Sequence, residues 1–263
     1  MRIATWNVNS VRTRAERIAA FLERNDVDVL AMQETKTADA KFPYATFESA
    51  GYEVAHVGVN QWNGVAIASR VGLDNVRDHF DGQPAFAKKG EPKVEARAVG
   101  ANCGGVEVWS LYVPNGREIG DPHYDYKLQF LWSLAESVRP GDLQVFMGDF
   151  NVASRDEDVW DVAWFEGKTH VTEPERAAFQ MLLEAGLYEI RHDDPYSFWD
   201  YKSARFQHNE GMLIDFQLAT APMRDLVKRA WVDVDERRGK GASDHAPVIV
   251  DYDTRGLSYN EVR

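Results

Sequence analysis

Six short segments of this chain end on side chains able to do chemistry. Asn7 and Asn9 follow Ile3-Ala4-Thr5-Trp6, and Glu34 closes Val29-Leu30-Ala31-Met32-Gln33. Tyr112 and Asn115 close Val108-Trp109-Ser110-Leu111, and Asp149 and Asn151 follow Val145-Phe146-Met147-Gly148. Asp215 lies within Met212-Leu213-Ile214-Asp215-Phe216, and Asp244-His245 precedes the last apolar run. Any one carboxylate after a strand reads as a turn former or cap. Asp215 inside an apolar run is different, because a buried carboxylate needs a partner and a histidine or cation supplies one. Taken together, carboxylates with one histidine and no cysteine cluster suit Mg²⁺ or Mn²⁺ rather than zinc. An Asp–His pair fixes the imidazole tautomer and favours its cation, which suits charge on a phosphate. An Asp–Asn pair can hold and deprotonate a water. The sum is metal-assisted phosphodiester hydrolysis.

The elements that must position these groups are mostly strands. β-like runs recur at Arg2–Trp6, Val27–Gln33, Tyr52–Val57, Gly64–Ser69, Val94–Ala101, Val106–Val113, Leu143–Gly148, Met212–Ala219, Arg229–Val234 and Ala246–Asp251. Several are continuously apolar, as strands covered on both faces are. Ser10 is placed to cap a helix with Ala15, Ile18, Ala19 and Leu22 on one face. Thr172 and Glu175 form a capping box ahead of Ala178, Leu182 and Ala185, with Gly186 as the stop. A third helix spans Tyr124 to Ser137. Many strands and few helices predict two stacked sheets with helices outside, as one domain over 1–252 and a polar tail over 253–263.

The segments Thr5-Trp6-Asn7-Val8-Asn9, Gln33-Glu34-Thr35-Lys36, Leu111-Tyr112-Val113-Pro114-Asn115-Gly116, Gly148-Asp149-Phe150-Asn151 and Ser243-Asp244-His245-Ala246-Pro247, in that order, resemble the signature of the exonuclease III family. That family comprises the apurinic/apyrimidinic endonucleases within the endonuclease/exonuclease/phosphatase superfamily, and the match is of bacterial type. The resemblance implies a four-layer α/β sandwich, two mixed β-sheets packed face to face with helices outside. It implies Glu34 as principal metal ligand, with Asn7, Asn9 and Asp244 in or near the shell. Asp149 would activate the water with Asn151, His245 backed by Asp215 would contact the phosphate, and Tyr112 and Asn115 would line the pocket. It leaves open whether Asp149 or His245 takes the proton. One departure stands out: the family reads Gly-x-Arg-Ile-Asp where this chain has Gly211-Met212-Leu213-Ile214-Asp215. Strand alternation would put Leu213 on the face of Asp215, where a cation is missing.

The carboxylate site alone does not name a substrate. Pro195-Tyr196-Ser197-Phe198-Trp199-Asp200-Tyr201 resembles the family's loop beside the abasic sugar, with Phe198, Met212 and Ile214 as the apolar pocket for a flipped-out sugar. Arg12, Arg14, Lys36, Arg117, Arg155, Lys202, Arg205 and Lys240, and the run Arg237-Arg238-Gly239-Lys240-Gly241, are candidate phosphate contacts. The formal charge of −12, from 30 basic and 42 acidic residues, argues mildly against a nucleic-acid partner, but a local basic face is compatible with it. One cysteine, Cys103, leaves no disulfide or thiolate zinc site, and there is no phosphate loop. The other histidines lack metal-ligand spacing. The expectation is a Mg²⁺-dependent DNA repair nuclease, Mn²⁺ substituting, that cuts 5′ to abasic sites and processes 3′ ends of double-stranded DNA. It would be a cytoplasmic, nucleoid-associated monomer with no membrane contact. The alternatives are a superfamily phosphatase or phosphodiesterase on a small or lipid phosphate, and a non-catalytic DNA-binding relative, to which Leu213 alone lends weight.

Overall fold

The computed structural model describes residues 1–257. In chain order the strands are β1 (Arg2–Asn7), β2 (Val29–Gln33), β3 (Glu53–Val57), β4 (Val65–Ser69), β5 (Asp74–Arg77), β6 (Ala85–Phe86), β7 (Lys93–Val94), β8 (Ala98–Cys103), β9 (Val106–Tyr112), β10 (Gln144–Asp149), β11 (Leu187–Glu189), β12 (Asp215–Thr220), β13 (Val227–Val232) and β14 (Val248–Tyr252). The helices are α1 (Val11–Arg24), α2 (Tyr44–Ser49), α3 (Pro122–Glu136), α4 (Glu173–Glu184) and α5 (Ala221–Arg224). Two six-stranded sheets form, in the orders β13-β14-β1-β2-β4-β3 and β11-β12-β10-β9-β8-β5, with β6 and β7 as a separate ribbon.

Each large sheet has one parallel pair near its centre, β1 with β2 and β9 with β10, and is otherwise antiparallel. The layers follow from alternating side chains. Ile3, Val29, Ala31 and Ile67 of the first sheet meet Val99, Val108, Val145 and Met147 of the second in the central core. The opposite face of the first sheet packs Ala4, Trp6 and Leu30 against Ile18, Phe21 and Leu22 of α1. The opposite face of the second packs Trp109, Leu111 and Phe146 against α3 and α4. The result is the expected four-layer sandwich. Among the described residues no helix is long and apolar enough to cross a membrane.

Local chemistry explains where the sequence expectations held. The Thr172–Glu175 capping box forms, with both reciprocal bonds, and α4 ends before Gly186, which takes φ 106°. Ser10 does not cap α1 with its side chain; its backbone takes φ 90° because its N–H bonds the Glu34 carbonyl and turns the chain there. The run 94–101 is broken between β7 and β8. Short β5 and β11 were not expected, since Asp74-Asn75-Val76-Arg77 has no apolar alternation and Leu187–Glu189 is too brief to show one. Residues 253–257 fold back so that Leu257 packs against the central core, and the rest of the expected tail, 258–263, lies outside the described residues.

Two features hold the rim of the second sheet. Gly148 sits where an added Cβ would lie 1.9 Å from the Leu111 carbonyl oxygen, so only glycine lets β10 approach β9 just before Asp149. Beneath the rim, fully buried Lys127 of α3 pairs with fully buried Glu175 of α4 and donates to the Asn115 carbonyl at 3.3 Å and the Asn151 carbonyl at 2.5 Å. Burial lowers the Lys127 pKa; burial would raise Glu175, but the Lys127 charge and hydrogen bond, with the His170 backbone N–H, together lower it. Lys127→Met is expected to destabilise the protein by about 3–5 kcal/mol in chemical unfolding, because Glu175 is left buried and uncompensated. Lys127→Met with Glu175→Gln should recover much of that loss.

Candidate active site

The two parallel pairs end at the same rim, and their C-terminal ends supply most of the polar groups. Asn7 ends β1, Glu34 follows β2, Tyr112 ends β9 and Asp149 ends β10. Two antiparallel strands enter at that rim: β12 begins at Asp215, in register opposite Asp149, and Asp244-His245 leads into β14. The backbone there is unusual. Asn9, Ser10, Glu34, Lys36, Arg117, Asn151 and His170 all have positive φ without being glycine. Such residues store strain that the surrounding packing must hold, and they gather at sites where side-chain direction matters.

One cavity of about 320 Å³ is lined by Glu34, Tyr112, Asn115, Asp149, Asn151 and His170, with Phe198, Met212 and Ile214 on its apolar side and Asp200, Asp244 and His245 beyond. At its floor the Asn7 amide donates to Glu34 at 2.8 Å and to Asp149 at 2.9 Å. The Asn151 backbone N–H donates to the other Asp149 oxygen at 3.0 Å, and the Asn115 amide donates to the Asn151 side-chain oxygen at 3.0 Å. His245 holds Asp215 through Nδ1 at 2.8 Å and faces Asp149 through Nε2 at 3.8 Å. Ser197 donates to the same Asp215 oxygen at 2.6 Å.

Burial pushes Asp149 up to about 7, opposed by the charge of His245. Burial pulls the His245 imidazole down, but the Asp215 carboxylate and its hydrogen bond, then Asp149, overcome that and raise it to about 10. The proton of this dyad therefore resides on His245 at neutral pH. The imidazolium contribution to stability is complete below about pH 6.5, the unfolded value, and is lost as pH rises through about 10. In EDTA, NMR titration of the metal-free protein should find His245 still protonated at pH 8. Asp215→Asn should bring its titration back toward the ordinary histidine range; a His245 already neutral at pH 7 in the parent protein contradicts the assignment.

Glu34, Asp149 and His245 each offer a ligand atom within 4.8 Å of the others. An imidazolium is no ligand, so the available donors are carboxylate oxygens from Glu34 and Asp149, with Asp244 on the same cavity wall. That donor set fits a hard divalent cation. Burial would raise Glu34, but the Lys36 ammonium 2.7 Å away, then the Lys36 and Asn7 hydrogen bonds, keep its pKa low. Asn7 and Asn9 have their amide oxygens engaged, by the Asn9 N–H and by the Lys36 ammonium, and their amide nitrogens on Glu34 and Asp244. Both therefore orient carboxylates, and each amide oxygen keeps a second lone pair.

Several expected residues stand elsewhere. Leu213 is 3% exposed and packs in the apolar layer under α3 and α4 with Phe216, not on the face of Asp215. Alternation fails because β12 starts only at Asp215, and the residues before it pair elsewhere, Met212 bridging Val159 with the Leu213 N–H on the Asp158 carbonyl. Arg14 is no phosphate contact: it ties together the Val8, Gly241 and Ala242 carbonyls. Arg237 is buried over Tyr201 and Phe206 and donates to the Trp199 carbonyl. Arg205 pairs with Glu210 and stacks on two tryptophans, whereas Arg117, Lys202 and Lys240 are exposed. In the aromatic block, Trp199 is core and Phe198 lines the cavity, its ring 4.8 Å from that of His245.

Two groups at the site carried no sequence signal. His170 lacks ligand spacing, yet its Nε2 lies 3.1 Å from the Asn151 side-chain oxygen, and burial, then the nearby Lys127 charge, lower its pKa to about 3. Lys127 looks like a surface residue on a helix until α4 covers it.

Comparison with known proteins agrees with this geometry. Exodeoxyribonuclease III of Haemophilus influenzae is 26% identical over 269 residues, covering 96% of this chain and all of the relative. An AP endonuclease structure from Archaeoglobus fulgidus superposes with a TM-score of 0.89 at 33% identity, covering 96% of this chain and 99% of the other. A 3′ phosphatase, NExo, from Neisseria, bound to a product DNA hairpin, gives 0.90 at 34% identity with the same coverage. The family model described as endonuclease/exonuclease/phosphatase matches residues 4–245, from within β1 to the histidine that closes the site, and the chain belongs to that family.

Proposed function

We propose that this protein is a metal-dependent DNA repair nuclease that hydrolyses phosphodiesters 5′ to abasic sites and removes nucleotides or blocking groups from DNA 3′ ends. The observation that carries the reading is a buried Asp149 beside His245, itself hydrogen-bonded to buried Asp215, at one cavity with Glu34. Asp149, ionised above about pH 7, accepts the proton of the attacking water while Asn7 and Asn151 fix its two oxygens. His245 directs its Nε2–H at a phosphate oxygen as negative charge grows, and Asp215 holds its tautomer. Glu34 would hold Mg²⁺, or Mn²⁺ in its place, with Asn7, Asn9 and Asp244 in or near its shell, and the cation would supply charge neutralisation at the phosphate. Asn115 and Tyr112 wall the cavity, and exposed Arg117, Lys202 and Lys240 suit flanking DNA phosphates. Acting on DNA alone, the protein would work as a monomer in the cytoplasm, on the nucleoid.

The two activities ask different things of the cavity. An abasic sugar must enter between Phe198, Met212 and Ile214, whereas a 3′-terminal phosphate need only reach the carboxylates. His170 lines that cavity beside Asn151, where its ring narrows the space left for a sugar, so we expect the 3′-end activity to be the stronger. A labelled duplex with one abasic analogue and a second with a 3′-phosphate, each with Mg²⁺ and with EDTA, test both. Metal-dependent release of the 3′-phosphate faster than lesion incision is expected. Folded protein inert on both, yet active on a small phosphomonoester, would overturn the DNA reading.

A further inference from the structure

Beside the catalytic cavity, on the other side of Phe198, lies a second cavity of about 260 Å³. Phe198, Asp200 and Met212 line both, so the two spaces share a wall of three side chains. Its far wall is Trp160, Trp164 and Phe165, carried by the loop after Asn151. Trp164 is 43% exposed, which is a poor use of an indole in a core but a suitable one for a stacking surface. The Arg205 guanidinium lies 4.8 Å from the Trp160 ring and 4.7 Å from the Trp164 ring, and the Lys168 ammonium lies 3.0 Å from the Trp164 centroid.

We infer that this cavity is a nucleobase-stacking subsite, taking the unstacked base of a nucleotide joined to the scissile phosphate. The inference rests on the DNA reading above. Indole rings beside a planar guanidinium are the surface on which bases of single strands stack with little sequence preference. The volume falls below the roughly 300–1,000 Å³ of sites that enclose whole small molecules, and suits one planar ring system. The cavity is no dedicated phosphate site, because its cations Lys202 and Arg205 are matched by Asp200 and Glu210, and Glu210 pairs with Arg205. Those carboxylates accept hydrogen bonds from exocyclic amines of a base. The exposed ammonium of Lys202 is available to a neighbouring backbone phosphate. A flanking base held here would draw the phosphate toward His245 and favour frayed 3′ ends over stacked ones.

The test follows removal of the 3′-terminal nucleotide by wild type, Trp164→Ala and Trp164→Phe from two duplexes, one ending in a normal nucleotide and one in a baseless tetrahydrofuran unit. Trp164→Ala is expected to raise KM on the base-bearing end by about 5- to 100-fold, the range for losing one base–aromatic stack. Its kcat should stay within about threefold of wild type, and Trp164→Phe should restore most of the loss. On the baseless end Trp164→Ala should match wild type. With 2-aminopurine as the terminal base in EDTA, binding should quench fluorescence in wild type and not in Trp164→Ala. Unchanged KM on the base-bearing end, or equal losses on both ends, overturns the subsite while leaving the nuclease reading intact. A wild type that hydrolyses no DNA end overturns both.

Discussion

Asp149→Asn is expected to lower kcat by about 10²–10⁴-fold at neutral pH with the fold intact, the range for removing a positioned general base. The loss arises from geometry as well as charge. Both Asp149 oxygens accept from donors, one from the Asn7 amide and one from the Asn151 N–H. An amide nitrogen at either position faces a donor, so the water loses its acceptor and the floor loses a hydrogen bond. Stability should change little, because burial already disfavours the charged form of this carboxylate. Single-turnover hydrolysis with saturating Mg²⁺, beside thermal unfolding of both proteins, makes the comparison. Turnover within tenfold of wild type by a folded Asp149→Asn protein removes Asp149 from the role of base.

His245→Ala should cost about 10²–10³-fold in kcat, the scale of a preorganised donor to a developing charge. It also removes the cation that partners Asp215, whose carboxylate is then buried with Ser197 as its remaining side-chain partner. Asp215→Asn should therefore reproduce a large part of the loss while leaving the imidazole in place, through a lost tautomer and a lowered His245 pKa. Because Asp149 and His245 act on one phosphate, the double variant should be little worse than the poorer single one. A multiplicative double loss would mean that the two groups serve separate steps.

Much of the site was legible because it is written at strand ends. Apolar runs that stop at Asn7, Glu34, Tyr112 and Asp149 fix both strand direction and where the next side chain emerges, and the structure brings these residues to one rim. The four-layer architecture was legible for the same reason: continuous apolar strands have two faces to cover. What escaped depends on contacts distant in sequence. Lys127 reads as a solvated helix residue, and only the docking of α4 sets Glu175 against it. His170 has no motif, and its place is fixed by the loop that also carries Trp160 and Trp164. Arg14 and Arg237 read as surface cations, but carbonyls and rings from other segments enclose them. Leu213 was misplaced because alternation was applied to residues that precede the strand.

The joining of β1 to β14 has a consequence for biosynthesis. The Ser243 hydroxyl bonds the Asn7 carbonyl across 236 residues, and the Trp6 indole bonds the carbonyl of His245. During translation the chain emerges with Glu34, then Asp149 and Asp215, but the first sheet lacks the strand that carries the imidazole to them. Pairings so distant in sequence form late. A ribosome-bound chain thus holds its carboxylates without the cation that completes them, and cutting power arrives only when residue 245 has cleared the exit tunnel.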